Sequence, residues 1–154
     1  MSHDALGEQF RGHYGGGHSP TEDGPPLHDV TEKGNFMDGL DVYEKPQHYT
    51  GTEHPQESIR QMRAARGNPD HVATIYRAAP RGVGHINHGD WVTLSAGYAA
   101  EHAKHPHDPK QDWPTLAAHV PAHHVRYAGD DLNEWGYYGP SVAAHVHRDP
   151  LDES

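Results

Sequence analysis

The sequence predicts a mixed α+β domain. Residues 72–78 alternate with the period of a strand, and residues 55–66 repeat their apolar positions with the period of a helix. Ser95 stands between a second strand-like run and a second helix-like run, where it would cap the helix.

The chain begins without periodicity. Residues 1–35 are rich in Gly, His, Pro, Asp and Glu, and Gly15-Gly16-Gly17 and Gly24-Pro25-Pro26 break any regular element. Residues 1–70 hold ten of the 17 glycines and six of the 13 prolines, so a flexible arm over residues 1–39 is expected. An ordered domain over 40–145 and a frayed tail over 146–154 would follow. His3, His13, His18 and His28 fit no compact chelate on one helix face, which argues against a metal-binding arm. Phe36, Met37, Leu40, Val42 and Tyr43 restore apolar anchors and predict a loop or short helical turn packed on the domain.

Residues 55–66 carry the signals of a helix. Pro55 suits the first helical position, Glu57 the first turn, and Arg63 and Arg66 the last, with Gly67 as the stop. Ile59, Met62 and Ala65 or Arg66 are expected to face inward, leaving the basic residues on a solvated face. In the strand 72–78, Ala73, Ile75 and Arg77 share one side. A charge beside Ile75 is unusual unless it borders a cleft. Residues 83–89 read as a connecting loop, 90–95 as the second strand, and Ala96 to about His105 as the helix that Ser95 opens. Tyr98 and His102, four apart, share a face of that helix.

Beyond it the polar stretch 105–114 reads as a loop, and 115–120 as a strand ended by Pro121. His123-His124 reads as a solvated turn, 125–127 as a short strand, and 133–138 as another. Residues 142–144 form a last apolar piece.

Composition removes several function classes. Hydrophobic content is 33%, enough for one modest core in 154 residues. The net charge of −10 argues against a nucleic-acid surface, which needs clustered Lys and Arg. Protonating all 17 histidines would carry the charge from −10 to +7, which makes the net charge strongly dependent on pH. The absence of cysteine excludes thiolate chemistry, disulfides and Cys-based zinc sites. No apolar run reaches membrane-spanning length and no signal-peptide layout opens the chain, so a soluble protein is expected, cytoplasmic or delivered into a target cell.

Arg77 near the end of the first strand, Thr93-Leu94-Ser95 at the end of the second, and Glu134 on a later strand make an ordered set. It resembles the R-S-E pattern of ADP-ribosyltransferases, of the compact kind found in bacterial toxins and phage-borne proteins. The resemblance covers about residues 40–140. It implies two short antiparallel sheets forming a central cleft with flanking helices, and NAD as substrate with nicotinamide as leaving group. The acceptor is expected to be a protein. It assigns catalysis to Glu134, Arg77 and Ser95, and NAD binding to Arg77, Thr93, Ser95, Tyr98 and Trp135. Tyr98 would stack on nicotinamide, and no metal is required. Leu94 stands where the family has Ser or Thr. Leu132 stands where toxins that modify arginine, asparagine or glutamine carry Glu or Gln, which leaves plain NAD hydrolysis, another acceptor or a degenerate NAD site open.

Two other classes remain in view. A non-catalytic phage- or toxin-associated interaction domain would use Arg77 in an ion pair with Glu134 or Asp131. A metal enzyme would draw on His85, His88, His102, His123, His124, His145 and His147, but no His-Glu-x-x-His helix or other ligand spacing is present.

Overall fold

A computed structural model of the chain describes residues 24–31, 41–49, 55–128 and 132–148. They form a mixed α+β fold with three α-helices: α1 (Asp41–Glu44), α2 (Gln56–Ala65) and α3 (Ala96–Ala103). The strands are β1 (Val72–Ala78), β2 (His85–Ile86), β3 (Asp90–Val92), β4 (Thr115–Pro121), β5 (Val125–Tyr127), β6 (Trp135–Tyr137), β7 (Val142–Ala143) and β8 (His145–Val146). Where two sheets were expected, the described strands make three, all antiparallel: β1-β4-β8, β3-β6-β5 and β2-β7.

The two larger sheets meet through one bridge. Tyr76 and Thr93 exchange backbone bonds, Tyr76 N to Thr93 O at 2.8 Å and Thr93 N to Tyr76 O at 2.9 Å. This ties the middle of β1 to the chain leaving β3, and brings Arg77 and Ser95 into one neighbourhood. Ala73 and Ile75 on one side of β1 join Ala118 and Val120 of β4, Val92 of β3, and Trp135 and Tyr137 of β6 in the main core. Tyr76 on the other side packs with Ala117 and with Ala99 of α3. Both faces of β1 are therefore covered, which explains why its burial is nearly continuous instead of alternating.

Helix α2 follows its sequence signals with one change of phase. Ser58, Met62 and Ala65 face the core, and Ile59 is half-buried. The polar Ser58 can turn inward because Asn133, itself fully buried, receives its hydroxyl at 2.6 Å. Gly67 takes a φ of 78°, a region that only glycine enters cheaply, and its N–H reaches His28 O at 2.8 Å.

Two boundaries differ from expectation. Residues 24–31, placed by composition in the flexible arm, lie along β5: Leu27 N bonds Val125 O and Tyr127 N bonds Pro25 O. Leu27 and Val30 are fully buried, so two aliphatics outweigh the breakers around them. The close approach also needs Gly24, where a Cβ would fall 1.7 Å from Tyr127 O. The rest of the arm lies outside the described residues. At the other end, β8 and His147, whose N–H bonds Thr115 O at 2.7 Å, extend the ordered sheet into the expected tail. The reading of 83–89 as a plain loop also changes, since His85–Ile86 pairs with β7.

Candidate active site

Arg77 sits on the core-facing side of β1 with 3% of its surface exposed. A buried guanidinium must spend its donors on fixed acceptors. Nη1 donates to Trp91 O at 2.6 Å, and Nε lies 3.9 Å from Asp90 Oδ2. The acidic partner is thus Asp90, on the adjacent sheet. Asp131, one of the partners expected from sequence, lies outside the described residues.

The carbonyl that Arg77 holds belongs to a residue that reaches the rest of the set. Trp91 packs against Tyr98 of α3, with Ala128 beside them. The Tyr98 hydroxyl donates to Glu134 Oε2 at 3.5 Å, and Glu134 O accepts from Ala128 N at 3.2 Å. Glu134 is half-buried and immediately precedes β6 instead of lying within it. Arg77, Trp91, Tyr98 and Glu134 therefore form a continuous chain of contacts.

Ser95 and Thr93 hold this arrangement from below. Ser95 caps α3 as its residue type predicts: the backbone is extended at φ −119° and ψ 118°, and Oγ accepts from Tyr98 N at 3.2 Å. Thr93 Oγ1 accepts from Ser95 N at 3.2 Å. Thr93 is fully buried and Ser95 nearly so, at 2%. Both hydroxyls shape the turn that aims Tyr98.

His102 lies on the same helix face, with its Nδ1 2.9 Å from Tyr98 O and its ring centroid 4.3 Å from that of Tyr98. A carbonyl only accepts, so Nδ1 carries the proton. Tyr98 is 5% exposed between His102 and Trp91, and little of its ring is open for a ligand to stack on.

Trp135, expected to contact NAD, exposes none of its ring. It is fully buried, edge-on to Tyr127 at 5.4 Å, with Nε1 bonded to Leu132 O. Alternation along β6 explains this: Glu134 precedes the strand at the edge of the core, while the next side chain points into it.

A second tier of residues was not apparent from the sequence. Glu57 of α2 accepts the Tyr76 hydroxyl at 2.8 Å and the Ala96 N–H at 2.7 Å. Burial first, then the hydrogen bond and negative charge of Glu57, push the Tyr76 hydroxyl well above the usual phenol range. Gln61, one turn on, donates to Thr74 O and Leu94 O and accepts from Thr74 N. The one available signal was that Glu57 and Gln61 share a helix face. Their partners lie 13 or more positions away and carry no local mark.

Among the described residues no group of three or more His, Asp or Glu is placed to hold a metal ion, and no helix is long and apolar enough to cross a membrane. Comparison of the chain with protein-family models, with curated proteins and with solved structures finds no match.

Proposed function

We propose that this domain binds NAD and cleaves its nicotinamide–ribose bond, passing ADP-ribose to an acceptor, expected to be a protein, or to water. The observation that supports this most is the 3.5 Å contact between the Tyr98 hydroxyl and the Glu134 carboxylate. It joins the third member of the ordered set to the helix that the second member caps, while the first member holds the carbonyl of the Trp91 that packs on Tyr98.

The chemistry follows from a positioned carboxylate. Glu134 accepts the 2′-hydroxyl of the nicotinamide ribose and stabilises positive charge as the C1–N bond lengthens. Nicotinamide leaves with the bonding electron pair as a neutral molecule. The acceptor or water then bonds to C1 and gives up a proton. The phenol of Tyr98 orients the carboxylate by donating to it. Arg77, Thr93 and Ser95 act behind this pair by setting the Trp91 and Ser95 turns.

A second reading is favoured by a specific observation. Arg77, Thr93 and Ser95 are all at least 97% buried and all have structural partners. A non-catalytic interaction domain built on the same framework would look similar.

Nicotinamide release from NAD by the purified chain, beside Glu134→Gln, separates the two. On the catalytic reading the amide variant keeps shape and loses charge, and release falls by about 10³-fold. Absence of release and of NAD binding in the unaltered chain would leave the interaction domain.

A further inference from the structure

Glu57 belongs to none of the three motifs, yet it is one of the side chains through which α2 grips the candidate site. Its two carboxylate oxygens are divided between elements. Oε1 accepts the Ala96 N–H at 2.7 Å, at the first residue of α3. Oε2 accepts the Tyr76 hydroxyl at 2.8 Å, on β1 next to Arg77. Both bonds have an ionised acceptor and are short, which places them among the stronger hydrogen bonds available to a protein.

The geometry has a specific consequence. Ser95 and Glu57 cap the same helix end, through Tyr98 N and Ala96 N respectively. The negative charge of Glu57 also lies where the helix dipole is positive. Helix α3 is only eight residues long, so its orientation rests heavily on this end. Tyr98, the residue that reaches Glu134, is in its first turn. Tyr76, the second partner, shares a backbone bridge with Thr93, two residues before the cap. One carboxylate thus holds the start of α3 against β1.

We infer that Glu57 is a positioning residue for the Tyr98–Glu134 pair. It fixes the first turn of α3 so that the Tyr98 hydroxyl is presented to the Glu134 carboxylate without touching substrate itself. The inference rests on the NAD-cleaving reading of the site for its effect on rate, but its structural half stands apart from that reading.

The test uses the full chain with Glu57→Gln, Glu57→Ala and Leu27→Ala. Gln retains an oxygen for Ala96 N–H and can donate to the Tyr76 oxygen. Leu27→Ala lowers stability from a fully buried core position on the segment beside β5. Nicotinamide release is expected to keep kcat within about threefold in Glu57→Gln and to lose about 100-fold in Glu57→Ala, with KM changed far less, as for a misplaced catalytic pair. Leu27→Ala, at a comparable loss of melting temperature, is expected to keep kcat. Amide hydrogen exchange is read in parallel. Glu57→Ala should speed exchange at Ala96 and Tyr98 by about tenfold or more while β4 amides stay as they were, the signature of local opening.

Equal loss of kcat in Glu57→Gln and Glu57→Ala would overturn the inference, because charge and not placement would then be responsible. So would an equal loss in Leu27→Ala, or unchanged exchange at Ala96 and Tyr98 in Glu57→Ala. If the unaltered chain releases no nicotinamide, the NAD-cleaving reading falls, and the exchange data alone decide whether Glu57 positions Tyr98.

Discussion

The side-chain amide of Gln61 pairs with both backbone groups of Thr74, as a neighbouring strand would. Nε2 donates to Thr74 O at 2.6 Å and Oε1 accepts Thr74 N at 2.8 Å. Thr74 stands opposite His119 of β4, yet its N–H and C=O are taken by Gln61, two residues before the Tyr76–Thr93 bridge. An unpaired strand edge invites other chains and leaves buried polar groups unsatisfied. Gln61 closes that edge and, through a third bond to Leu94 O at 3.0 Å, anchors the turn after β3.

Replacing Gln61 by Ala therefore leaves a backbone N–H and two carbonyls without this partner. The expected cost is about 2–4 kcal/mol, from two or three unmade bonds in a half-buried place. Gln61→Glu is expected to be nearly as harmful, since it replaces the donor to both carbonyls with an acceptor. Chemical denaturation of the two variants measures this. A loss under about 0.5 kcal/mol in both would show that the amide is incidental.

Tyr98→Phe keeps the ring between Trp91 and His102 and removes the hydroxyl facing Glu134. Stability is expected to change by less than about 1 kcal/mol, because one 3.5 Å bond is lost and no cavity opens. Nicotinamide release, on the proposed function, is expected to fall about tenfold. Parallel melting and turnover measurements would show whether the two effects separate in this way.

Arg77→Lys tests the framework. A lysine carries the charge but not the planar fork, and it cannot reproduce both the Trp91 carbonyl contact and the approach to Asp90. A loss of about 2 kcal/mol is expected, the value of a charged hydrogen bond that becomes poorly made. Stability equal to that of the parent would mean that Arg77 is not held as described.

Ser95→Ala removes the cap of α3 and is expected to cost about 1 kcal/mol, while Ser95→Gly should cost only a few tenths more than the parent. Equal losses in the two variants would point to packing of the serine side chain and not to the bond with Tyr98 N.

His124 predicts a direction for pH dependence. Desolvation and then the neighbouring His123 lower its pKa below the ordinary imidazole value of 6.5, and its Nδ1 is buried without a partner. Gly139 closes over it: a Cβ there would come within 2.4 Å of Nδ1. The unfolded chain therefore binds a proton at His124 more readily than the folded one. Its contribution to stability is present above about pH 6.5 and is lost as pH falls through the lower, folded pKa. His124→Phe is expected to flatten the stability profile below about pH 6.5. Tyr76 works in the opposite direction. Its raised pKa favours the folded state below about pH 10, an advantage lost as pH rises through the folded value, and Tyr76→Phe should remove that alkaline slope.

How much of this was legible in the sequence depends on the distance between cause and effect. The strand over 72–78, the helix read at 55–66 and found at 56–65, and the Ser95 cap rest on signals that begin and end within a few residues, and each element appears within a residue of where the sequence puts it. Strand period also puts Arg77 on the side of Ile75, but where a cleft-bordering charge was expected the arginine is buried on the Trp91 carbonyl. Trp135, expected to contact NAD, is fully buried beside Tyr127, because adjacent side chains at a strand point apart. Leu27 and Val30 were hidden by the glycines and prolines around them.

The sequence by itself determined the mixed α+β class, the main local elements and the chain order of Arg77, Ser95 and Glu134. Local hydrogen bonding and side-chain period are enough for that. Only the tertiary structure decided that Asp90 is the acid beside Arg77, that Tyr98 meets Glu134, and that Glu57 and Gln61 bind α2 to β1 and α3. These contacts join residues up to 39 positions apart. Their partners are chosen by how the sheets and helices pack together, and a polar side chain on a helix face gives no sign of which distant backbone group it will satisfy.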